Sequence, residues 1–519
     1  MELERYPELE VLSQFFEGDD QIELQEYKGE ISSEFEVLYV YGISPYVDTA
    51  IEWLNQDSKR ELIFLEDRME ALKKIKGGIL NHSQVHLKFY LGYNPLEEFI
   101  TEVITGFPYE KIGFISLHPN RERFEEIKNL LYRKVTLESA IHLEMMYAHK
   151  LAKNLFRNFK RLPDAFNVGL WKDQFKDVPA VICGAGPSLE DVTEELKGIK
   201  GKALVMAGGS AITALSAKGI TPDLLFAIDP NPEEFTRLAF HTAYDVPLIF
   251  GCRLEPNVFY SHAGPIGYLM TGTGGLLEKW MEERLGIKDY EILKGLGEEA
   301  LSVTAIAFMT AIYLGCNPII LAGVDLSYHF GKRYAKGVMS DLHLTLEESP
   351  AKAGDMVWDE AEVTTITKWK MERDVLDDVA RQYPSKTFIK ASSKGLPFKN
   401  ILHDPNWSKN CKTECRQGIE KLVGETALGV KDEEVRCSTD LFFESMRRSK
   451  KIVSDLVRCK NVILEMDLEE EIAYQIALKP AVYALSFHLR KDCKESEAER
   501  EVYKRLQPII DHYLENVIS

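Results

Sequence analysis

The stretch Pro179-Ala180-Val181-Ile182-Cys183-Gly184-Ala185-Gly186-Pro187-Ser188-Leu189-Glu190 constrains this chain more than any other. Its apolar run, Ala180 to Cys183, reads as a buried strand. The run breaks into Gly-Ala-Gly-Pro-Ser, and a helix-like stretch follows from Leu189 to Lys197. A strand feeding a glycine turn and a helix start aims free backbone N–H groups and the positive helix end at one point, which makes a phosphate cradle. Gly184 and Gly186 allow the tight turn and the close approach of an anion. Pro187 suits a first helical turn, Ala185 fills the loop, and Ser188 offers a further donor. No Gly-Lys-Ser/Thr follows, so this is not a P-loop. Leu189 stands where the third glycine of a dinucleotide fingerprint would be. The next strand, Ala203 to Met206, ends in Ala207-Gly208-Gly209-Ser210 without an acidic residue to hold a ribose. A plain strand–helix turn that binds nothing is the competing reading.

Around this stretch, strands and helices alternate in the manner of a doubly wound α/β sheet. A helix is expected over Ala211 to Ala217. The strand Leu224 to Ile228 ends on Asp229-Pro230, and Pro247 to Gly251 is the next strand. A glycine-rich loop follows at Thr271-Gly272-Thr273-Gly274-Gly275. The strand Ile319 to Gly323 runs on into Val324-Asp325-Leu326-Ser327-Tyr328. Ligands of such sheets sit beyond the carboxyl ends of the strands, near the switch point. Gly184 to Ser188, Gly208 to Ser210, Asp229 and Asp325 all fall at strand ends, although a single strand-end Asp is commonly just a cap.

Length and charge set the outer bounds. A chain of 519 residues exceeds one core, so two to three domains of about 150 residues each are expected. The divisions expected are 1–165, 166–404 and 405–519. The first is a smaller α/β, Rossmann-like domain with a helical connector from about Arg121 to Phe159, the second is the α/β domain that carries the glycine loop, and the third is helical. A net charge of −19 argues against broad nucleic-acid binding, which needs a basic surface. The eight cysteines include one close pair, Cys411 and Cys415, too little for a zinc site; they read as reduced thiols of a cytoplasmic protein. The opening residues, Met1 to Glu10, do not read as a signal peptide. Ala300 to Val324 carries no Asp, Glu, Lys or Arg and is long enough to span a bilayer. Gly315-Cys316-Asn317-Pro318 cuts it into a helix and a short buried strand, so no membrane span is expected.

In the first domain, Glu36 to Tyr41 is a strand, Tyr46 to Leu54 a helix, and Leu62 to Asp67 a second strand ending in acid. This βαβ order resembles the start of a methyltransferase-type Rossmann domain, in which the acidic strand end holds a cofactor ribose. Gly42-Ile43-Ser44-Pro45 is a poor glycine loop, so the domain reads as a fold relic or a docking domain. His118, just past its strand, is either functional or an ordinary surface histidine. After about 405 the pattern changes to charged helices such as Leu441 to Arg458 and Leu468 to His488.

Taken in order, Gly184-Ala185-Gly186-Pro187-Ser188-Leu189, Ile228-Asp229-Pro230, Leu301-Ser302-Val303 and Gly323-Val324-Asp325-Leu326-Ser327-Tyr328 resemble the motility-associated-factor family. These are presumed flagellin glycosyltransferases that share a domain with the archaeal hydroxymethylpterin diphosphokinases. The spacing is also similar to that of bacterial sialyltransferases that use a CMP-activated nonulosonic acid. The resemblance implies that Gly184 to Ser188 hold the donor nucleotide and that Asp229 stands where an asparagine contacts it. It implies that Tyr328 and Tyr334 hydrogen-bond the leaving phosphate, with Lys332 and Arg333 adding positive charge. Neutral phenols stabilise a developing phosphate charge without a metal. The general-base histidine of the sialyltransferases has no match in Asp355 to Thr365. His343 is the nearest histidine, and Asp359, Glu360 and Glu362 are the carboxylate substitutes. Where the motility family commonly has Thr-Glu-Gly, this chain has Ser392-Ser393-Lys394-Gly395.

The expected function is therefore transfer of a nonulosonic (sialic-acid-like) sugar from a CMP-activated donor to a hydroxyl acceptor on protein or glycan, with no cofactor required. Two alternatives stand beside it. One is an ATP/Mg²⁺-dependent hydroxymethylpterin diphosphokinase-like enzyme with Asp229 and Asp325 as metal ligands. The other is a non-catalytic scaffold that keeps the fold.

Overall fold

The computed structural model describes residues 5–6, 24–25, 29–43, 48–74, 78–296, 302–338, 352–411, 418–459, 461–489 and 495–517. The chain divides into two compact units. One comprises Met1–Ile141, Glu347–Trp358 and Ile366–Lys368; the other comprises His142–Leu346, Asp359–Thr365 and Trp369–Ser519. The second unit thus holds both the central and the C-terminal segments.

The smaller unit is built on β1 (Val37–Tyr41), β2 (Glu61–Glu66), β3 (Val85–Phe89) and β4 (Ile112–Ser116). They form a parallel sheet in the order β3-β2-β1-β4. All five residues of β1 are buried. They alternate between the cluster of Leu38 and Val40 and that of Val37, Tyr39 and Tyr41, so both faces of the strand are covered. The helical connector runs from Arg121 to Phe159, as its periodicity suggested.

The larger unit contains β5 (Phe166–Asn167), β6 (Ala180–Cys183), β7 (Leu204–Gly208), β8 (Leu224–Ala227), β9 (Leu248–Phe250), β10 (Ile266–Tyr268) and β11 (Ile319–Ala322). A two-stranded ribbon, β12 (Val357–Glu360) with β13 (Val363–Ile366), comes next in the chain, then β14 (Phe388–Lys390) and β15 (Leu402–His403). The main sheet has nine strands in the order β15-β14-β11-β6-β7-β8-β9-β10-β5. Each pairing in it is parallel. From β6 the chain moves outward through β7 to β10, then returns to β6's other side with β11. The doubly wound reading holds, and the switch point lies between β6 and β11.

The apolar run of β6 is what this position demands. Val181 and Cys183 enter one core, and Ala180 and Ile182 enter the other. The same alternation repeats in β11, where Ile320 and Ala322 face one side and Ile319 and Leu321 the other. The helix Val303–Tyr313 covers one face; its Ala305 to Ile312 are all buried. The uncharged run that includes it is therefore a core helix followed by a strand. Among the described residues no helix is long and apolar enough to cross a membrane. The opposite core takes in Phe442, Phe443, Met446 and Val453 from the helix Asp432–Arg458, together with Leu506 and Ile510 from Glu495–His512. The late charged helices thus bury their apolar stripe in the same core as Val181 and Val205.

Candidate functional site

The glycine loop leaves β6 at the switch point, and its glycines are required by the neighbouring strand end. The Gly184 N–H donates to Ala322 O and the Gly186 N–H to Gly323 O, both at 2.8 Å. A methyl at Gly184 would lie 2.5 Å from Gly323 O, and one at Gly186 2.7 Å from the carboxyl carbon of Asp325. Gly323 has φ +68 and approaches Gly184 O in return. Two strand-end loops lie backbone to backbone here, with no room for a Cβ on either. The helix expected from Leu189 to Lys197 is shorter and split. Pro187–Glu190 is a 3-10 turn, with Pro187 in its first position, and the α-helix is Thr193–Gly198.

Ser188 does not present open donors. Its N–H donates to Asp325 Oδ2 at 2.8 Å and its hydroxyl donates to Asp325 Oδ1. Both residues are buried. A carboxylate of the chain itself therefore fills the position that the sequence reading reserves for an anion at Ser188. Burial raises the Asp325 carboxyl above its usual range, opposed by the Ser188 hydrogen bonds and by Lys390. Lys390 is itself buried and lowered to about 8 by desolvation; its Nζ donates to Leu396 O at 2.8 Å. The Leu396 N–H returns to Asp325 O at 2.8 Å, with Gly395 packed against the Asp325 backbone.

At the neighbouring strand ends, a methyl on Gly208 would strike Val303 Cγ1 at 2.3 Å, and one on Gly209 would lie 3.9 Å from both carboxylate oxygens of Glu234. Ser210 opens the helix Ser210–Ser216, one residue before the start expected. Asp229 Oδ1 accepts from Asn231 N and Nδ2 at 2.9 and 2.7 Å, and its Oδ2 pairs with Arg237 at 3.1 Å. Pro230 O accepts from Asn154 Nδ2 at 2.9 Å. Arg237 also reaches the buried Glu234, at 3.5 Å. Burial and then Asp229 push the Glu234 carboxyl up to about 7. Glu234 and Arg237 were not singled out in the sequence; their spacing of three on the helix Pro232–Leu238 is the signal that was there.

The tyrosine loop is laid against the glycine loop. The Ala335 N–H donates to Ala185 O at 2.7 Å, and the Lys336 N–H to Glu190 Oε1 at 2.9 Å. The Arg333 guanidinium lies 5.3 Å from the Tyr334 ring and 4.9 Å from the Trp369 ring. Tyr328 is buried, with its ring centroid 5.0 Å from that of Trp369. Both tyrosines thus share the Arg333–Trp369 platform, and Tyr334 lies close enough to Arg237 to interact with it electrostatically. Lys332 is exposed in the tight turn His329–Lys332. Trp369 was missed because a lone tryptophan in an amphipathic helix reads as core.

These contacts form a circuit. Gly208 meets Val303, and next to it Ser302 donates to Glu372 at 2.5 Å. Glu372 is one turn from Trp369, which leads through Arg333 to Tyr334, Arg237, Asp229, Glu234 and back to Gly209.

The expected bases fare differently. His343 lies outside the described residues. Glu360 is held by Arg373 at 2.7 Å and Lys370 at 3.1 Å, which keep its carboxyl below the usual range against the cost of burial. Asp359 accepts from Thr364 at 3.1 Å, and Glu362 is exposed at φ +65. Lys394, in place of the expected glutamate, pairs with Asp191 at 2.8 Å.

In the smaller unit, Glu66, Asp67 and His118 are the one group of potential metal ligands among the described residues. The Glu66 oxygens already accept from Arg68 Nε and Nη2, both at 2.9 Å, and from the N–H groups of Ile43, Asp67 and Arg68. The acidic strand end is thus spent on its own loop rather than open to a ribose. His118 is buried, stacked on Tyr41 at 4.3 Å, and its Nε2 lies 3.1 Å from Asp67. It is not a surface histidine.

Residues 153–331 match the family described as MptE-like, 6-hydroxymethylpterin diphosphokinase MptE-like. The centre of this chain is similar to an MptE-like domain. That MptE-like span runs through the glycine loop, Asp229 and Tyr328 and stops short of Tyr334. A solved structure, that of the MAf glycosyltransferase from Magnetospirillum magneticum AMB-1, is similar over 99% of this chain and 84% of that one, with a TM-score of 0.51 and 14% identity. At that identity the likeness shows the fold. No curated protein matches.

Proposed function

We propose that this chain is a glycosyltransferase that moves a nonulosonic, sialic-acid-like sugar from a CMP-activated donor to a hydroxyl on a protein or glycan acceptor. The observation that carries the reading is the seating of the Tyr328–Ala335 loop on the glycine loop through Ala335 and Ala185, at the switch point of the sheet. Support comes from the named neighbour, a glycosyltransferase whose fold extends over both units of this chain. In this reading the donor lies along Gly184 to Gly186, Gly208 to Ser210 and Asp229. Tyr334 and Tyr328, beside the Arg333 guanidinium, offset the charge that develops on the leaving phosphate. Asp325 orients Ser188 and closes the floor, and no metal is called on. Activity in the compartment where CMP-sugars are made, the cytoplasm, goes with this reading.

A ligand bound by the native state alone raises the melting temperature. Saturating CMP and CTP are expected to stabilise the protein with or without Mg²⁺. A shift with another nucleotide and none with cytidine nucleotides refutes the reading.

The description of the matched family favours a second reading, a diphosphokinase acting on a hydroxymethylpterin. It needs Mg²⁺ on carboxylates, whereas Asp229 is held by Arg237 and Asp325 by Ser188. Mg²⁺-dependent ATP binding with AMP release in the presence of a hydroxymethylpterin is its signature. A scaffold without catalysis, the reading Lys394 suggests, is excluded by tight nucleotide binding that Gly186→Trp abolishes.

A further inference from the structure

The transfer reading needs a group that takes a proton from the acceptor, and the candidate for it is on no motif. Glu372 lies in the first half of the helix Thr367–Gln382, three residues after Trp369 and so on the same helix face. Its Oε1 accepts from Ser302 Oγ at 2.5 Å, while that Ser302 oxygen accepts from the Ala305 N–H at 3.0 Å and caps the helix Val303–Tyr313. One carboxylate oxygen is thus anchored to a helix cap packed against Gly208, and the Trp369 ring one turn away carries Tyr328 and Arg333. The cations of its own helix are engaged elsewhere: Lys368 with Asp355, Lys370 with Glu360, Arg373 with Glu360 and Asp374, and Arg381 with Asp378. Burial raises the Glu372 carboxyl to about 7, with the Ser302 hydrogen bond opposing. A base poised near the working pH, in a fixed orientation beside the transfer site, has what proton abstraction requires.

We propose that Glu372 is the general base of this site, taking the proton of the acceptor hydroxyl. As the proton passes to the Glu372 carboxylate, the acceptor oxygen bonds to the anomeric carbon. The bond from that carbon to the phosphate oxygen breaks, and its electron pair leaves with CMP. The inference rests on the glycosyl-transfer reading and adds to it the residue that activates the acceptor.

The test uses the full chain with CMP-N-acetylneuraminic acid and water as acceptor, and follows CMP release. Glu372→Gln is expected to slow release by about 100-fold while the melting-temperature shift with CMP stays at the wild-type value. Glu372→Asp is expected to recover part of the rate. Release at the wild-type rate by Glu372→Gln overturns the proposal and leaves the transfer reading intact. Loss of the CMP shift in that variant also overturns it, since Glu372 would then be building the donor site. No CMP release by the wild type sinks the transfer reading and this inference with it.

Discussion

Asp325 accepts both the N–H and the hydroxyl of Ser188, so the last strand end of the switch point clamps the first. The contact joins residues that are 137 apart in sequence. Asp325→Ala leaves two buried donors without an acceptor, at about 1–3 kcal/mol each. A urea titration is expected to show a lower midpoint with the same slope. An unchanged midpoint would show that the clamp contributes no stability.

The C-terminal helices are expected to be inseparable from the sheet. Phe442 is fully buried against Phe156 and Tyr513, and a large-to-small change there costs about 3–5 kcal/mol. Phe442→Ala should lower the melting temperature of the whole larger unit in a single transition. A chain ending at 404 should lose the cooperative unfolding of the larger unit, leaving at most the transition of the smaller one, by circular dichroism. A truncation whose larger unit still unfolds cooperatively would refute the shared core.

Glu282 sets a pH dependence. It is buried under β10, accepting from Tyr268 at 2.7 Å, and desolvation, then Glu278, push its carboxyl from 4.5 to about 8. Above pH 4.5 the unfolded chain releases this proton while the folded chain keeps it. The stabilisation is complete below pH 4.5 and is lost as pH rises towards 8, at no more than about 1.4 kcal/mol per pH unit. Glu282→Gln should flatten the fall of melting temperature between pH 6 and about 8. Identical slopes in variant and wild type would refute the assignment.

Lys394→Glu places like charges where Lys394 and Asp191 now pair, both part-exposed. Screening by solvent limits the cost to about 1 kcal/mol, so a small drop in melting temperature is expected. A large drop would mean that Lys394 does more than its surface pair.

Tyr334→Phe removes the phenol proposed to face the leaving phosphate while keeping the ring under Arg333. A fall of about 100-fold in CMP release, with donor binding little changed, is expected for the loss of one such donor. Equal release would remove Tyr334 from the chemistry.

The sequence by itself determined β1, β2, β6 to β9 and β11, the helix inside the uncharged run and the doubly wound class, but not β5, β10 or β12 to β15. Each feature it determined depends on local periodicity: the four apolar residues of β6 must face two cores, and Gly315 to Pro318 must break the helix before β11. It also placed the glycine loop, Asp229 and Asp325 at strand ends. Only the tertiary structure decided what those residues do for one another. Ser188 spends its donors on Asp325, Asp229 holds Arg237, and Ser302 ties Glu372 to the cap of the helix whose Val303 packs against Gly208. Contacts of this kind join side chains far apart along the chain, and hydrogen-bond geometry at that range leaves no periodic trace. The glycine loop read as an anion cradle because its local shape is one; a buried carboxylate from another strand end gave it a different partner.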